Sequence, residues 1–296
     1  MTLPVLVWLL LATIWGSTWL FIKVGLMDLP PFSFAAWRFV LASIPLLIWL
    51  VLRRPVRRYA AADWRLMIGT GLLTFALNYT LVFWGESHIS AGLAAILYST
   101  FPVLGMLMAH WMLPAEPLTM RKFGGALVAV GGVAVIFYDQ IHLRGAWAVA
   151  GSAAVVIAAT SSAYAGVLIK RQGTHIDPVV MTAVQMLASV GPMMILGLAV
   201  DGDPRAFAWT PRAVLSVVYL ALLGSSLTFV LLYWLMQRIP VTRVMLIPLF
   251  STLIAVALDA AVLGEQLHWR ALVGAAGILG GLAAALAPHP EPPQPA

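Results

Sequence analysis

The feature that most limits this chain is the even spacing of its apolar runs. Ten of them, at about 4–26, 32–52, 66–86, 91–113, 121–138, 146–169, 178–200, 212–236, 242–263 and 270–287, follow one another with short charged breaks between. A helix that crosses the hydrocarbon core of a bilayer needs about 20 mostly apolar residues. A chain of 296 residues therefore holds ten crossings and little else. Composition agrees, with 62% hydrophobic and 9% charged residues, against about 45–50% and about 25% in soluble domains. So few polar residues cannot cover a water-facing surface. The expected fold is an all-α polytopic membrane protein with ten transmembrane helices. The fifth run is short for a crossing, and the glycines of GGALVAVGG (124–132) predict that it packs closely on a neighbour.

Several classes drop out at once. The chain has no cysteine, which excludes disulfides and thiolate metal sites. Its net charge of +6 is spread over the breaks and reads as topogenic, with no nucleic-acid face. The first run has no basic leader and no small-residue cleavage motif, so it is expected to stay as a helix. With both termini cytoplasmic, the inside loops hold eleven Lys and Arg and the outside loops five, while Arg38 lies within a span. That asymmetry predicts both termini on the cytoplasmic side of a cell membrane. The Pro-rich end 288–296 is expected to be a disordered tail.

The chain also repeats itself. ATIWGSTWLFIK (12–23) and ATSSAYAGVLIK (159–170) share their ends at an offset of 147, and Pro31 matches Pro178 at the same offset. FWGESHIS (83–90) lies over YWLMQRIP (233–240) at 150. EPLTMRKFGGALVAVGG (116–132) lies over EQLHWRALVGAAGILGG (265–281) at 149, pairing Glu116 with Glu265, Gly125 with Gly274 and Gly132 with Gly281. Two repeats follow, 1–144 and 145–287, each of five helices. Five is odd, so the second repeat enters the membrane from the opposite side. Inverted repeats of this kind allow inward- and outward-open states of similar energy, which a bound solute can exchange.

The same residues carry a family resemblance. WGSTWLFIK, PPFSFAAWRFVLAS (30–43), ESHISAGLAAILYSTFPVLGML (86–107) and LGEQLHWRALVGAAGILGG (263–281) resemble the drug/metabolite transporter superfamily, and within it the EamA-type ten-helix members. The resemblance covers nearly the whole chain. It implies a central cavity lined by the first four helices of each repeat, with the fifth outside, and export of amino acids or other metabolites. One position departs from the family pattern: a proline usual in the ninth helix opposite Pro102 is Ser251 here, and Pro248 stands three residues earlier. Any ninth-helix kink that the resemblance implies is therefore shifted.

Polar and ionisable groups inside spans are expensive and mark function. Arg38 is a candidate carboxylate anchor, or else a structural cation that bonds helix-end carbonyls; Gln185 is its uncharged partner at offset 147. Trp15, Trp19, Asn78, Tyr79, Tyr98 and Tyr164 are the other candidate solute contacts, since aromatic faces with a few donors suit amphipathic or zwitterionic solutes. His110 and Asp259, each six residues before a paired Glu, are candidate gating or proton-coupling groups at opposite depths. Glu116 and Glu265 begin the fifth and tenth spans, where a helix dipole favours a carboxylate. The expected activity is secondary transport of small organic solutes across the lipid bilayer, with protons as a candidate coupling ion, no nucleic-acid partner, no cofactor and no GxxxxGK[ST] loop for nucleotide. A membrane-embedded enzyme and a channel are the alternatives, and neither shows its motif: there is no HExxH pair and no pore-lining polar stripe.

Overall fold

The computed structural model describes residues 2–53, 58–86, 88–89, 91–138, 147–263 and 269–286. The expected repeat boundary at 144/145 and the tail 288–296 lie outside the described residues, as do the side chains of Trp19 and Asp259. Within them the first two spans of the first repeat are α1 (Leu3–Gly25) and α2 (Pro31–Arg53). Their counterparts are α8 (Ala148–Gln172) and α9 (Pro178–Val200). Pro31 and Pro178 each open their helix, where a fixed φ and a missing N–H do no harm. Asp177 caps α9, accepting from the N–H groups of Val179 at 2.8 Å and Val180 at 3.2 Å. Both second spans also carry an internal proline, Pro45 and Pro192, again 147 apart.

The third span of each half is interrupted in the same way. α3 (Ala61–Gly71) and α4 (Asn78–Glu86) are joined by a π-helical segment, Leu72–Leu77. α10 (Pro211–Ala221) and α11 (Thr228–Met236) are joined by another, Leu222–Leu227. The two segments stand 150 apart, the offset of the sequence match that flanks them.

The fourth and ninth spans are each broken ahead of a proline. α5 (Ala91–Tyr98) and α6 (Phe101–Met112) part at Ser99–Thr100, before Pro102. α12 (Val241–Val244) and α13 (Ile247–Leu263) part at Met245–Leu246, before Pro248. The ninth-span break is displaced toward the N-terminus because its proline is.

Nine helices among the described residues are long and apolar enough to cross a membrane. The remaining expected crossing is α7 (Met120–Ile136), whose 17 residues are the short fifth run. It packs against α14 (Trp269–Leu286) through the glycines that the sequence singled out. A Cβ on Gly125 would lie 2.6 Å from the carbonyl oxygen of Gly281, and one on Gly132 would lie 2.5 Å from that of Gly274. The repeat pairs Gly125 with Gly274 and Gly132 with Gly281, so the contact is its own mirror image, as a two-fold axis between the helices requires. The same inversion relates the packing of α1 on α13 to that of α8 on α6. Two inverted five-helix repeats thus build one bundle. Its outer surface is apolar, with Leu10, Ile44, Ile48, Ile157 and Ile195 exposed where lipid chains lie. Trp64 and Trp111 are exposed toward one membrane face, and Trp147, Trp209 and Trp269 toward the other.

Candidate functional site

Arg38 lies two turns into α2 and is only 5% exposed. Its Nε donates to Ser225 Oγ at 2.7 Å and its Nη2 to the carbonyl oxygen of Gly224 at 3.0 Å. Both acceptors belong to the π-helical segment Leu222–Leu227, where the widened turn disturbs the regular backbone pairing. The guanidinium also lies 5.4 Å from the ring centre of Phe39 and 5.6 Å from that of Tyr79, and aromatic faces attract cations. Among the described residues no carboxylate forms an ion pair with it. A buried cation held only by neutral groups lacks the charge that offsets its desolvation, a cost of several kcal/mol.

Beside that guanidinium is a pocket at the seam between the repeats, lined by Ile22, Phe34, Ala35, Arg38, Tyr79, Phe83 and Leu220. The cavity is small, about 10 Å³, room for about one water molecule. The walls are apolar and aromatic with one cation among them, a lining chemistry common to small-molecule sites, in a space that must widen to admit a solute. It opens in the half of the bundle nearer the loop that carries Asp28, between α1 and α2. That side is called here the Asp28 face, and the opposite one, at the turn between α8 and α9, the His175 face.

The mirrored position is filled. Gln185 is fully buried; its Nε2 donates to Thr70 Oγ1 at 2.7 Å and its Oε1 accepts from the Tyr233 hydroxyl. Ser189, one turn on, donates to the carbonyl oxygens of Gly71 at 3.0 Å and Gln185 at 2.9 Å. Where Arg38 reaches into one π-helical segment, Gln185 packs at the start of the other: a Cβ on Gly71 would lie 2.6 Å from Gln185 Cα.

The remaining candidates are spread more widely. Tyr79 lines the pocket with Arg38. Asn78 and Tyr98 bond each other, Nδ2 to hydroxyl at 3.0 Å, and Asn78 also donates to the Ala158 carbonyl at 2.9 Å, which ties the third, fourth and sixth spans together. Trp15 packs edge-on against Phe229, 5.9 Å between ring centres, in the main core. Tyr164 is 41% exposed and does not line the pocket. His110 is exposed near the end of α6, where its Nδ1 accepts from the Leu118 N–H at 3.2 Å and so braces the turn into α7. Asp259 lies on α13. Phe34, Phe83, Thr70 and Tyr233 did not stand out in the sequence. The offset of 150 was the available signal, since it sets Tyr233 over Phe83 and Phe229 over Tyr79.

Comparison with known proteins decides the family. The model of the EamA-like transporter family matches residues 2–138 and, a second time, 149–287. The chain belongs to this family. Among its relatives is a probable terminal-alkyne amino-acid exporter of Streptantibioticus cattleyicolor, 32% identical over 95% of this chain and 93% of the relative. A probable amino-acid metabolite efflux pump of Escherichia coli is 26% identical over 93% and 91%. The uncharacterized transporter YoaV of Bacillus subtilis is 27% identical over 88% and 89%. A solved crystal structure superposes over 96% of both chains with a TM-score of 0.82 at 20% identity, a likeness of fold alone.

In this EamA-like transporter, each membrane face carries a side-chain contact to a carboxylate between the repeats. At the Asp28 face, Arg212 Nε and Nη2 reach the two carboxylate oxygens of Asp28 at 2.6 and 2.7 Å, and Thr210 donates to the same carboxylate. Those bonds, Arg212 first, hold the Asp28 carboxyl well below its ordinary range, at about 2. At the His175 face, His175 Nε2 lies 2.9 Å from Asp63 Oδ1. Asp28 and His175 are repeat partners at offset 147, and Asp63 stands one residue from the partner of Arg212 at offset 150.

A second brace on the His175 face holds the turn between α11 and α12. Lys170 Nζ donates to the carbonyls of Met236 at 2.5 Å and Ile239 at 2.8 Å. The buried Glu116 accepts from the N–H groups of Val241 at 2.8 Å and Thr242 at 3.0 Å. The expectation that Glu116 serves its own helix is corrected here. Thr119 caps α7, and the Glu116 carboxylate caps α12 of the other repeat, whose first turn has free N–H groups aimed at it. Among the described residues no group of three His, Asp or Glu is placed to hold a metal ion.

Proposed function

We propose that this chain is a secondary transporter that exports small carboxylate-bearing metabolites, amino acids and their relatives among them, by alternating access. The observation that carries this reading is the Arg38 guanidinium, buried, without a carboxylate partner among the described residues, and lining a pocket between the repeats. A solute carboxylate entering that pocket supplies the missing charge, and its apolar part meets Phe34, Tyr79 and Phe83. Charge-assisted bonds to a guanidinium are among the stronger polar contacts available at a binding site. The structural reading of Arg38 and the functional one are compatible. Nε and Nη2 anchor the side chain to the π-helical segment, and the group as a whole still lines the pocket. The names of two relatives, a probable terminal-alkyne amino-acid exporter and a probable amino-acid metabolite efflux pump, support the same solute class.

The excess of basic residues in the loops at the His175 face supports both termini being cytoplasmic, which puts the Asp28 face outside, and the bacterial relatives support an inner-membrane location. His110 and Asp259 are the titratable candidates for coupling to protons. Replacing Asp259 with Asn is expected to abolish any pH-gradient dependence of flux; survival of that dependence removes Asp259 from the coupling role.

The test is counterflow in proteoliposomes with radiolabelled amino acids and, separately, cationic drugs, with and without a pH gradient. Saturable counterflow of carboxylate solutes and none of the cationic drugs is expected. Absence of saturable flux for every small solute contradicts the reading, and ohmic single-channel currents would point to a pore instead.

A further inference from the structure

We infer that the turn between α11 and α12 is a binding site for an acidic phospholipid of the adjacent leaflet, with Arg238 and Arg243 taking the phosphate of its headgroup. The turn joins two membrane-crossing stretches, Pro211–Met236 and Val241–Leu258. Arg238 follows the first by two residues, and Arg243 stands in the first turn of the second. Both side chains are exposed at the end of a span, the depth at which lipid headgroups lie.

The backbone of this turn is fixed from beneath. Lys170 Nζ donates to the carbonyl oxygens of Met236 and Ile239, and the Glu116 carboxylate accepts from the N–H groups of Val241 and Thr242. Trp8 Nε1 donates to the Arg243 carbonyl oxygen at 3.0 Å. Five backbone groups of one short stretch are thus held by side chains from α1, α8 and the turn between α6 and α7. One of the two cations is held as well. The Arg238 guanidinium lies 3.9 Å from the ring centre of Trp234, and its Nη1 donates to the Trp234 carbonyl oxygen at 2.9 Å. A site already ordered in this way loses little further freedom when an anion binds.

The charge at this place lacks a counterpart within the protein. Among the described residues neither Arg238 nor Arg243 forms an ion pair. The loops on the His175 face hold eleven Lys and Arg against three carboxylates, Asp63, Glu116 and Asp177. Each of the three is engaged elsewhere: Asp63 with His175 and the Ala60 N–H, Asp177 with the first turn of α9, and Glu116 with the backbone of α12. The stretch 237–243 itself contains no carboxylate. A lipid phosphate lies at the matching depth and presents oxygen pairs that suit a guanidinium fork. An acidic lipid carries no ammonium of its own, so its charge is free to answer the two arginines, and basic residues at a membrane surface attract such lipids. The inference is independent of which solute the chain carries.

The test is a titration of the detergent-purified full chain with phosphatidylglycerol, read by native mass spectrometry as lipid retained on the protein, with phosphatidylcholine as the zwitterionic comparison. The unmodified protein is expected to hold phosphatidylglycerol more tightly than phosphatidylcholine. Arg238→Gln and Arg243→Gln are each expected to weaken the tightest phosphatidylglycerol complex about 5-fold, and the double variant about 25-fold, with phosphatidylcholine unaffected. Replacing both arginines with lysine keeps the charge and is expected to keep most of the preference. Arg205→Gln, on the opposite face, is expected to change nothing. If the double Gln variant elutes from gel filtration as the unmodified protein does and still binds phosphatidylglycerol as tightly, the inference is overturned. An equal loss in Arg205→Gln also overturns it, as does displacement of the bound lipid by inorganic phosphate at matching concentration, which would make a free anion the occupant.

Discussion

Arg38 has two jobs that can be separated by substitution. Its Nε and Nη2 bonds to Ser225 and Gly224 hold α2 against the π-helical segment, while its charge is the feature that the proposed solute carboxylate would meet. Arg38→Gln keeps hydrogen-bonding capacity and removes the charge. Losing one partner of a buried charge contact costs about 2–5 kcal/mol, so the flux of carboxylate solutes is expected to fall about 30-fold or more. The melting temperature in detergent is expected to move little, because a cation without a counter-charge is itself a burden on the fold. Glu116 is the contrasting case. Glu116→Ala strands the N–H groups of Val241 and Thr242 in a buried place, and stability is expected to fall by about 2–3 kcal/mol, with Glu116→Gln intermediate; thermal unfolding in detergent measures both. The sequence showed that a carboxylate at this position is kept in both repeats. Its partner lies 125 residues away across the repeat seam, which no local pattern of helix termini can reveal.

At the scale of helices, the crossing of α7 and α14 gives the sharpest prediction, because the face of each glycine differs. A Cβ on Gly132 would meet the Gly274 carbonyl oxygen at 2.5 Å, whereas one on Gly131 would meet nothing within 4 Å. Gly132→Leu must push the two helices apart and is expected to cost about 1–3 kcal/mol as overpacking does, or to prevent assembly; Gly131→Leu is expected to be nearly neutral. Equal melting temperatures for the two variants would contradict the mirrored crossing. The glycine pattern made this contact legible in the sequence, and Pro102 and Pro248 likewise located the breaks of the fourth and ninth spans. The π-helical segments were not legible. LLTFAL and LLGSSL share three leucines at the constant offset, and leucine does not mark a widened turn. The Arg38 pocket suffered from the same blindness: Arg38 and Tyr79 stood out as polar groups in apolar runs, but the Phe34 and Phe83 that wall the pocket look like any lipid-facing phenylalanine.

For the whole molecule, the account is one of two halves built on the same frame and finished differently. The frame includes Pro45 with Pro192 and the two glycine pairs. The differences are Arg38 against Gln185, Phe83 against Tyr233 and Asp28 against His175. The Asp28–Arg212 contact at one face is expected to act at every working pH. The Asp28 carboxyl is lowered from 3.8 to about 2 by Arg212 and Thr210, so the stabilisation it supplies is fully present above the ordinary carboxylate value and is lost only as pH falls through about 2. Arg212→Gln is therefore expected to alter the melting temperature by the same amount at about pH 5 and about pH 8; a change that vanishes at the lower pH contradicts that assignment.

The claim on which the rest depends is that a solute carboxylate completes the charge of Arg38. Counterflow of radiolabelled amino acids into proteoliposomes, compared between the unmodified protein, Arg38→Lys and Arg38→Gln, tests it most directly. The account predicts saturable counterflow in the unmodified protein, a partial loss in Arg38→Lys, which keeps charge without the planar fork, and near-complete loss in Arg38→Gln. Full, saturable flux of the same solutes by folded Arg38→Gln would contradict it.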